Sequence, residues 1–216
     1  MQYQIFIFDL DGTILDTLED LYFSVNYALK QSGFPERTLA EVRQFVGNGI
    51  RKLIERAVPS GTSEAEIQQV HQDFTEYYKI HCADYTRPYA GIPETIQNIR
   101  TAGIRTAVVS NKADYAVQTL CADYFPDLFD AVTGEREGIR RKPAPDSVQA
   151  VLNALHFTPE QAIYIGDSDV DIQTAKNAGM PCISVEWGFR DRAFLLQHGA
   201  EKIITRPEEL LDLIQK

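Results

Sequence analysis

The sequence predicts an α/β fold: a doubly wound parallel sheet with an all-helical segment inserted after its first strand. Three observations carry that reading. From about residue 87 onward, short apolar, β-branched runs alternate with helical patterns. One further run of the same kind, residues 4–9, stands alone near the start. Between them, from about Leu15 to Tyr85, apolar residues recur only at helical spacing.

The first run, QIFIFD, is continuously apolar before its aspartate, as a strand covered on both faces must be. Leu18, Leu21, Tyr22, Val25 and Leu29 then mark a helix that Gly33 and Pro35 end. Ile50, Leu53, Ile54 and Ala57 mark a second helix, stopped by Pro59, and Ile67, Val70, Phe74, Tyr77 and Tyr78 a third. Past Arg87-Pro88 the order is a helix near 93–102, a strand at 105–110, a helix near 114–122 and a strand at 130–133. A helix at 146–155, the strand AIYIG at 162–166, a helix near 170–178 and the strand CISVE at 182–186 follow. A helix near 191–198, the strand KIIT at 202–205 and a last helix complete the chain. The expected organisation is an α/β core of residues 1–14 and 86–216 and a helical cap of residues 15–85. The cap is expected over the C-terminal strand ends, where open α/β sheets bind ligands.

Composition narrows the function. The 216 residues are 44% apolar and 24% charged, as in an ordinary soluble globular protein. The net charge of −10 argues against nucleic acid or an anionic membrane as a partner, since both need clustered Lys and Arg. The apolar run Ile5 to Phe8 is too short for a signal-peptide core or a membrane span. Cys82, Cys121 and Cys182 are odd in number and form no CxxC pair, which points to structural thiols in a reduced, cytoplasmic compartment. His71, His81, His156 and His198 are scattered without metal-ligand spacing.

The chemistry gathers at strand ends. Asp9 and Asp11 follow the first strand, and side chains two apart in extended chain share a face. Two carboxylates that close raise each other's pKa unless a cation neutralises them. Ser110 and Asn111 end another strand, Asp167, Ser168, Asp169 and Asp171 follow a third, and Lys142 precedes Pro143 between them. In a parallel sheet Asp9, Asp11, Ser110 and Asp167 emerge on one edge. Asp9, Asp167 and Asp171 carry about −3 and a phosphate monoester about −2, against about +3 from a divalent cation and Lys142. Oxygen-only ligands favour magnesium over zinc. Carboxylates, a metal, a lysine and hydroxyl or amide donors together suit phosphoryl transfer through an aspartyl-phosphate. Asp16 and Thr17 read as a helix start, and Asp169 as the cap of the helix it precedes.

DLDGT at 9–13, the strand ending in Ser110, Lys142 before proline and GDSDVD at 166–171 resemble, in order, the four signature motifs of haloacid-dehalogenase-like hydrolases. The segment near 15–85 resembles that family's small helical cap, and VGNGIRKLIERA resembles the cap of phosphoglycolate phosphatases. The resemblance implies Asp9 as nucleophile and Asp11 as general acid, then base, with Asp11 reaching magnesium through its backbone carbonyl. It implies Lys142 as the cation that holds phosphate against nucleophile, Asp9 and Asp167 as ligands of the metal, and Asp171 as a support of that site, directly or from behind the ligands. Ser110, Asn111 and Gly12 are implied on the phosphoryl side, and Arg51 at a substrate carboxylate. Trp187-Gly188-Phe189-Arg190, after a strand, either borders the site or packs.

Asp11 separates this chain from dehalogenases and phosphonatases, which lack the second aspartate. Leu21 stands where β-phosphoglucomutases carry a histidine. A phosphatase of small phosphomonoesters remains, with 2-phosphoglycolate foremost and a phosphosugar phosphatase or phosphomutase as alternatives. A phospho-accepting signalling receiver is the reading from another class, and such proteins lack a helical insertion of this size. The partner expected is a small phosphorylated metabolite, and the oligomer a monomer or homodimer.

Overall fold

The computed structural model describes residues 3–214. Its strands are β1 (Ile5–Phe8), β2 (Leu15–Asp16), β3 (Arg87–Pro88), β4 (Arg105–Ala113), β5 (Ala131–Glu135), β6 (Ala162–Gly166), β7 (Cys182–Val185) and β8 (Ile203–Ile204). Six of them form one sheet in the order β5-β4-β1-β6-β7-β8, and β2 pairs with β3 in a separate two-stranded ribbon. All five pairings within the large sheet are parallel. Chain order runs outward from β1 through β4 to β5, then restarts at β6 on its other side. The C-terminal ends of β1, β4 and β6 therefore lie together at the point where such sheets bind ligands.

The helices are α1 (Leu18–Gln31), α2 (Leu39–Phe45), α3 (Ile50–Ala57), α4 (Glu64–His81), α5 (Ile92–Thr101), α6 (Asp114–Tyr124), α7 (Asp146–Leu155), α8 (Asp169–Ala178) and α9 (Arg192–Gln197). The chain divides into two compact units, Met1–Leu15 with Pro88–Lys216, and Asp16–Arg87. In the first, the period-2 geometry of β1 sorts its residues between two cores. Phe6 and Phe8 pack with Ile96 and Ile99 of α5 and Val117 and Leu120 of α6. Ile5 and Ile7 pack with Val148, Val151 and Leu152 of α7 and Ala175 of α8 on the opposite face. A strand buried on both faces has no place for a polar residue until it ends, which is why β1 is wholly apolar and Asp9 follows it.

The second unit is built on α1 and α4. Asp20, buried in the first turn of α1, accepts hydrogen bonds from the amides of Tyr85 (3.0 Å) and Thr86 (2.8 Å) and from Thr86 Oγ1 (2.7 Å). These bonds tie the start of the segment to its end. On α3, the Arg51 guanidinium meets Glu55 at 2.8 Å and Glu64, at the start of α4, at 2.6 Å.

The structure departs from the sequence reading in several elements. Helix α2 carries no helical periodicity because only Val42 is buried; what forms it is the Thr38–Glu41 capping box. Strand β4 runs on to Ala113, which pairs with Glu135 of β5 beyond a register shift. The ribbon of β2 and β3 extends strand structure into residues expected to be helical or irregular. The last element is a 3₁₀ helix, Pro207–Leu213. The N-cap of α8 is Ser168 rather than Asp169, which is the first helical residue. The box pairs Ser168 with Asp171, three residues on, and leaves Asp169 outside it.

Candidate active site

Parallel register delivers the acidic residues. Phe8 pairs with Val108 on one side and Ile165 on the other, so Asp9, one residue on, leaves the sheet level with the end of β6. Its amide donates to Ile165 O (2.9 Å). Oxygens of Asp9, Asp167 and Asp171 all lie within 4.8 Å of one another, and all three residues are buried. Asp167 Oδ2 accepts from the Phe189 amide at 2.6 Å. Asp171 Oδ2 takes the Ser168 amide (3.1 Å) and hydroxyl (2.6 Å).

Lys142 joins this cluster. Its ammonium lies 2.9 Å from Asp9 Oδ1 and 2.8 Å from Asp171 Oδ1, and donates to Tyr164 Oη at 2.9 Å. The Tyr164 hydroxyl donates in turn to Val109 O (3.0 Å). Asn111 holds the Lys142 main chain at both ends: its Oδ1 accepts from Lys142 N (2.8 Å) and its Nδ2 donates to Lys142 O (3.0 Å). The Asn111 amide thus fixes the lysine's backbone. Burial alone would depress the lysine, but Asp171 and Asp9 outweigh it and hold the ammonium charged.

Asp11 stands apart from that triad. Its Oδ1 accepts from Lys112 Nζ at 2.9 Å, and both side chains are largely shielded. Ser110, also buried, receives the Lys112 amide on its Oγ at 3.3 Å. Gly12 has a left-handed φ of +81°, and a Cβ there would meet Asp167 Oδ2 at 2.4 Å. Only glycine allows both the turn and that approach. The loop after β7 closes the arrangement, with the Trp187 indole donating to Thr13 O (3.0 Å). Thus Asp9, Asp11, Gly12, Ser110, Asn111, Lys142, Asp167 and Asp171 all lie within the sheet-bearing unit. Arg51 belongs to the helical unit, engaged by Glu55 and Glu64.

The sequence reading missed Lys112 and Tyr164. Ending β4 at residue 110 hid Lys112; a strand carried to 113 would have placed it two residues past Ser110. Tyr164 read as an ordinary apolar strand residue, and only the fold reveals a phenol at the buried lysine.

Burial pushes the Asp9 carboxyl up to about 7, with Asp171 and Asp11 adding to the rise and Lys142 opposing it. Asp167 is raised well above the usual carboxylate range, by burial first and then by Asp171 and Asp9. Clustered, buried acids whose ionised forms are disfavoured suit a small hard cation, which would relieve that penalty with oxygen ligands alone. None of the three cysteines is in a disulfide, and burial pushes the Cys121 thiol up to about 12 and Cys182 higher still.

A parallel sheet with buried carboxylates at its switch point and a lysine clamped among them places the chain among α/β proteins with an acidic, cation-ready site at the ligand-binding edge. Residues 6–185 match the family model of haloacid dehalogenase-like hydrolases, and the chain belongs to that family. It is 30% identical over 212 residues to a phosphoglycolate phosphatase of Aquifex aeolicus, covering 98% of this chain and 96% of that protein. It is 29% identical over 219 residues to an N-acetylmuramic acid 6-phosphate phosphatase of Pseudomonas aeruginosa, covering 100% and 96%. A solved structure from Lactobacillus delbrueckii subsp. bulgaricus, provisionally assigned as a phosphoglycolate phosphatase, superposes with a TM-score of 0.94. It is 38% identical and covers 99% of both chains.

Proposed function

We propose that this chain hydrolyses 2-phosphoglycolate, with Mg²⁺ as cofactor and an aspartyl-phosphate as intermediate. The chain is a phosphoric monoester hydrolase of small substrates. The observation that carries the mechanism is Asp9 at the mouth of β1, in contact with the Lys142 ammonium and clustered with Asp167 and Asp171.

Asp9, Asp167 and the backbone carbonyl of Asp11 would hold the ion. When bound it supplies Lewis-acid stabilisation of phosphoryl oxygens and keeps Asp9 ionised. An Asp9 carboxylate oxygen attacks phosphorus while the bond to the leaving oxygen breaks, its electron pair staying on that oxygen. Asp11 gives its proton there and becomes the carboxylate. Lys142 offsets the charge of nucleophile and phosphoryl together. A water then attacks phosphorus, gives its proton to Asp11, and the bond to Asp9 breaks to release inorganic phosphate. Ser110, within β4, would donate its hydroxyl to the phosphoryl, and Asp171 would support the metal site, directly or from behind its ligands, while pairing with Lys142.

Both substrates named for the relatives join a phosphomonoester to a carboxylate. That supports Arg51 as the group that meets the carboxylate, in exchange for Glu55 or Glu64. The Pseudomonas relative, nearly as similar as the Aquifex one, favours a phosphosugar acid as second reading. No helix among the described residues is long and apolar enough to cross a membrane. We take the enzyme as cytoplasmic, monomeric or homodimeric, and acting on free metabolites.

A panel of phosphorylated metabolites assayed with Mg²⁺ and ranked by kcat/KM tests the assignment. Phosphoglycolate is expected to exceed a generic aryl phosphate by orders of magnitude. Parity with the aryl phosphate would overturn it, and preference for N-acetylmuramic acid 6-phosphate would establish the second reading.

A further inference from the structure

Lys112 is a buried lysine that the reaction just described does not use. Its ammonium lies 2.9 Å from Asp11 Oδ1, its side chain is 3% exposed, and its amide donates to Ser110 Oγ. Asn111, next to it, turns to the Lys142 main chain. The end of β4 thus serves two charged partners, with Asn111 fixing the lysine of the nucleophile and Lys112 reaching the second aspartate. A buried ion pair is weak evidence for a stabilising device, because apolar residues of similar volume commonly do as well. A role in the reaction gives the pair a reason to exist.

We propose that Lys112 is a positioning residue that orients the Asp11 carboxyl for proton transfer and offsets the charge left there when the proton goes. The inference rests on Asp11 being the general acid and base. As the P–O bond to the leaving group breaks, the Asp11 proton moves to the departing oxygen, and the carboxylate that remains is met by the ammonium already beside it. When water later attacks the aspartyl-phosphate, its proton returns to that same carboxylate, held in that same direction. Lys112 acts through the Asp11 carboxyl with which it pairs.

The test exploits the fact that poor leaving groups need a proton and good ones hardly do. Lys112→Met and Lys112→Gln are compared with wild type on aryl phosphates from dinitrophenyl to phenyl phosphate, with unfolding midpoints recorded so that a folded neutral variant is measured. The variants are expected to lose about thirtyfold in kcat/KM on phenyl phosphate and less than about threefold on dinitrophenyl phosphate, steepening the dependence on leaving-group pKa. In an Asp11→Asn background, Lys112→Met is expected to add no loss. An equal loss across the series, no loss at all, or a fully additive loss in that background would overturn the proposal. Failure of wild type to hydrolyse any phosphomonoester would overturn the phosphatase reading and this inference with it; normal wild-type turnover with a flat series would overturn this inference alone.

Discussion

Lys142 Nζ and Asp171 Oδ1 are 2.8 Å apart, and neither side chain is open to solvent. The other oxygen of Asp171 is held by Ser168, so the carboxylate is locked before it meets the lysine. Asp171 and Asp9 thus share the Lys142 ammonium between them. Asp171→Ala removes one partner of a buried pair and is expected to cost about 3 kcal/mol in urea unfolding. Asp171→Asn, which keeps the shape, is expected to lower kcat about 10–100-fold. A fully active Asp171→Asn variant would contradict that account.

Gly188 lets two parts of the site touch. A Cβ there would meet Asp167 Cβ at 2.3 Å and Gly12 O at 2.4 Å, and neither atom can swing away as the tip of a flexible side chain would. Gly188→Ala is expected to displace Asp167 and weaken Mg²⁺ or Mn²⁺ binding at least about tenfold, measured by isothermal titration. Unchanged affinity would show that the contact does not set the acid's position.

Much of this site is legible in the sequence, because a parallel sheet converts strand ends into a single edge. A strand with two covered faces must be apolar, so the aspartates and the GDSDVD run stand out where β1 and β6 stop, and Ser110 where the apolar run of β4 ends. What was not legible depends on three-dimensional partners. Lys112 depended on where β4 ends, Tyr164 on a phenol's path through the core, and the cap of α8 on whether Ser168 or Asp169 starts the helix. Helix α2 illustrates the opposite limit: a capping box was written at Thr38–Glu41, yet one buried valine gives no period to read.

Asp130 offers a pH test away from the active site. Burial acts to raise its carboxyl, but hydrogen bonds from Arg100, the Thr106 amide and Arg105 outweigh it and hold the group below the usual range. A carboxylate with a depressed native pKa contributes stability above its unfolded value, about 3.9, and loses it as pH falls through the native value. The stability gap between wild type and Asp130→Asn is therefore expected to be constant from pH 8 to 6 and to shrink below about pH 4. Urea titrations across that range check this, and a gap that widens on acidification would contradict it.

Asp20 predicts a stability effect inside the helical unit. Asp20→Ala leaves the Tyr85 and Thr86 amides and the Thr86 hydroxyl without their acceptor, at a cost of about 1–3 kcal/mol. Urea unfolding should show a lower midpoint with an unchanged slope. A midpoint within error of wild type would mean that water replaces the carboxylate without cost.

The central claim is that Asp9 carries the phosphoryl group. Wild type quenched in acid during turnover with Mg²⁺ and substrate, then digested and weighed by mass spectrometry, is expected to show one added phosphoryl group on the peptide containing Asp9. Asp9→Asn is expected to show neither the adduct nor turnover. A phosphoryl group on another residue, or near-normal turnover by Asp9→Asn, would contradict the account.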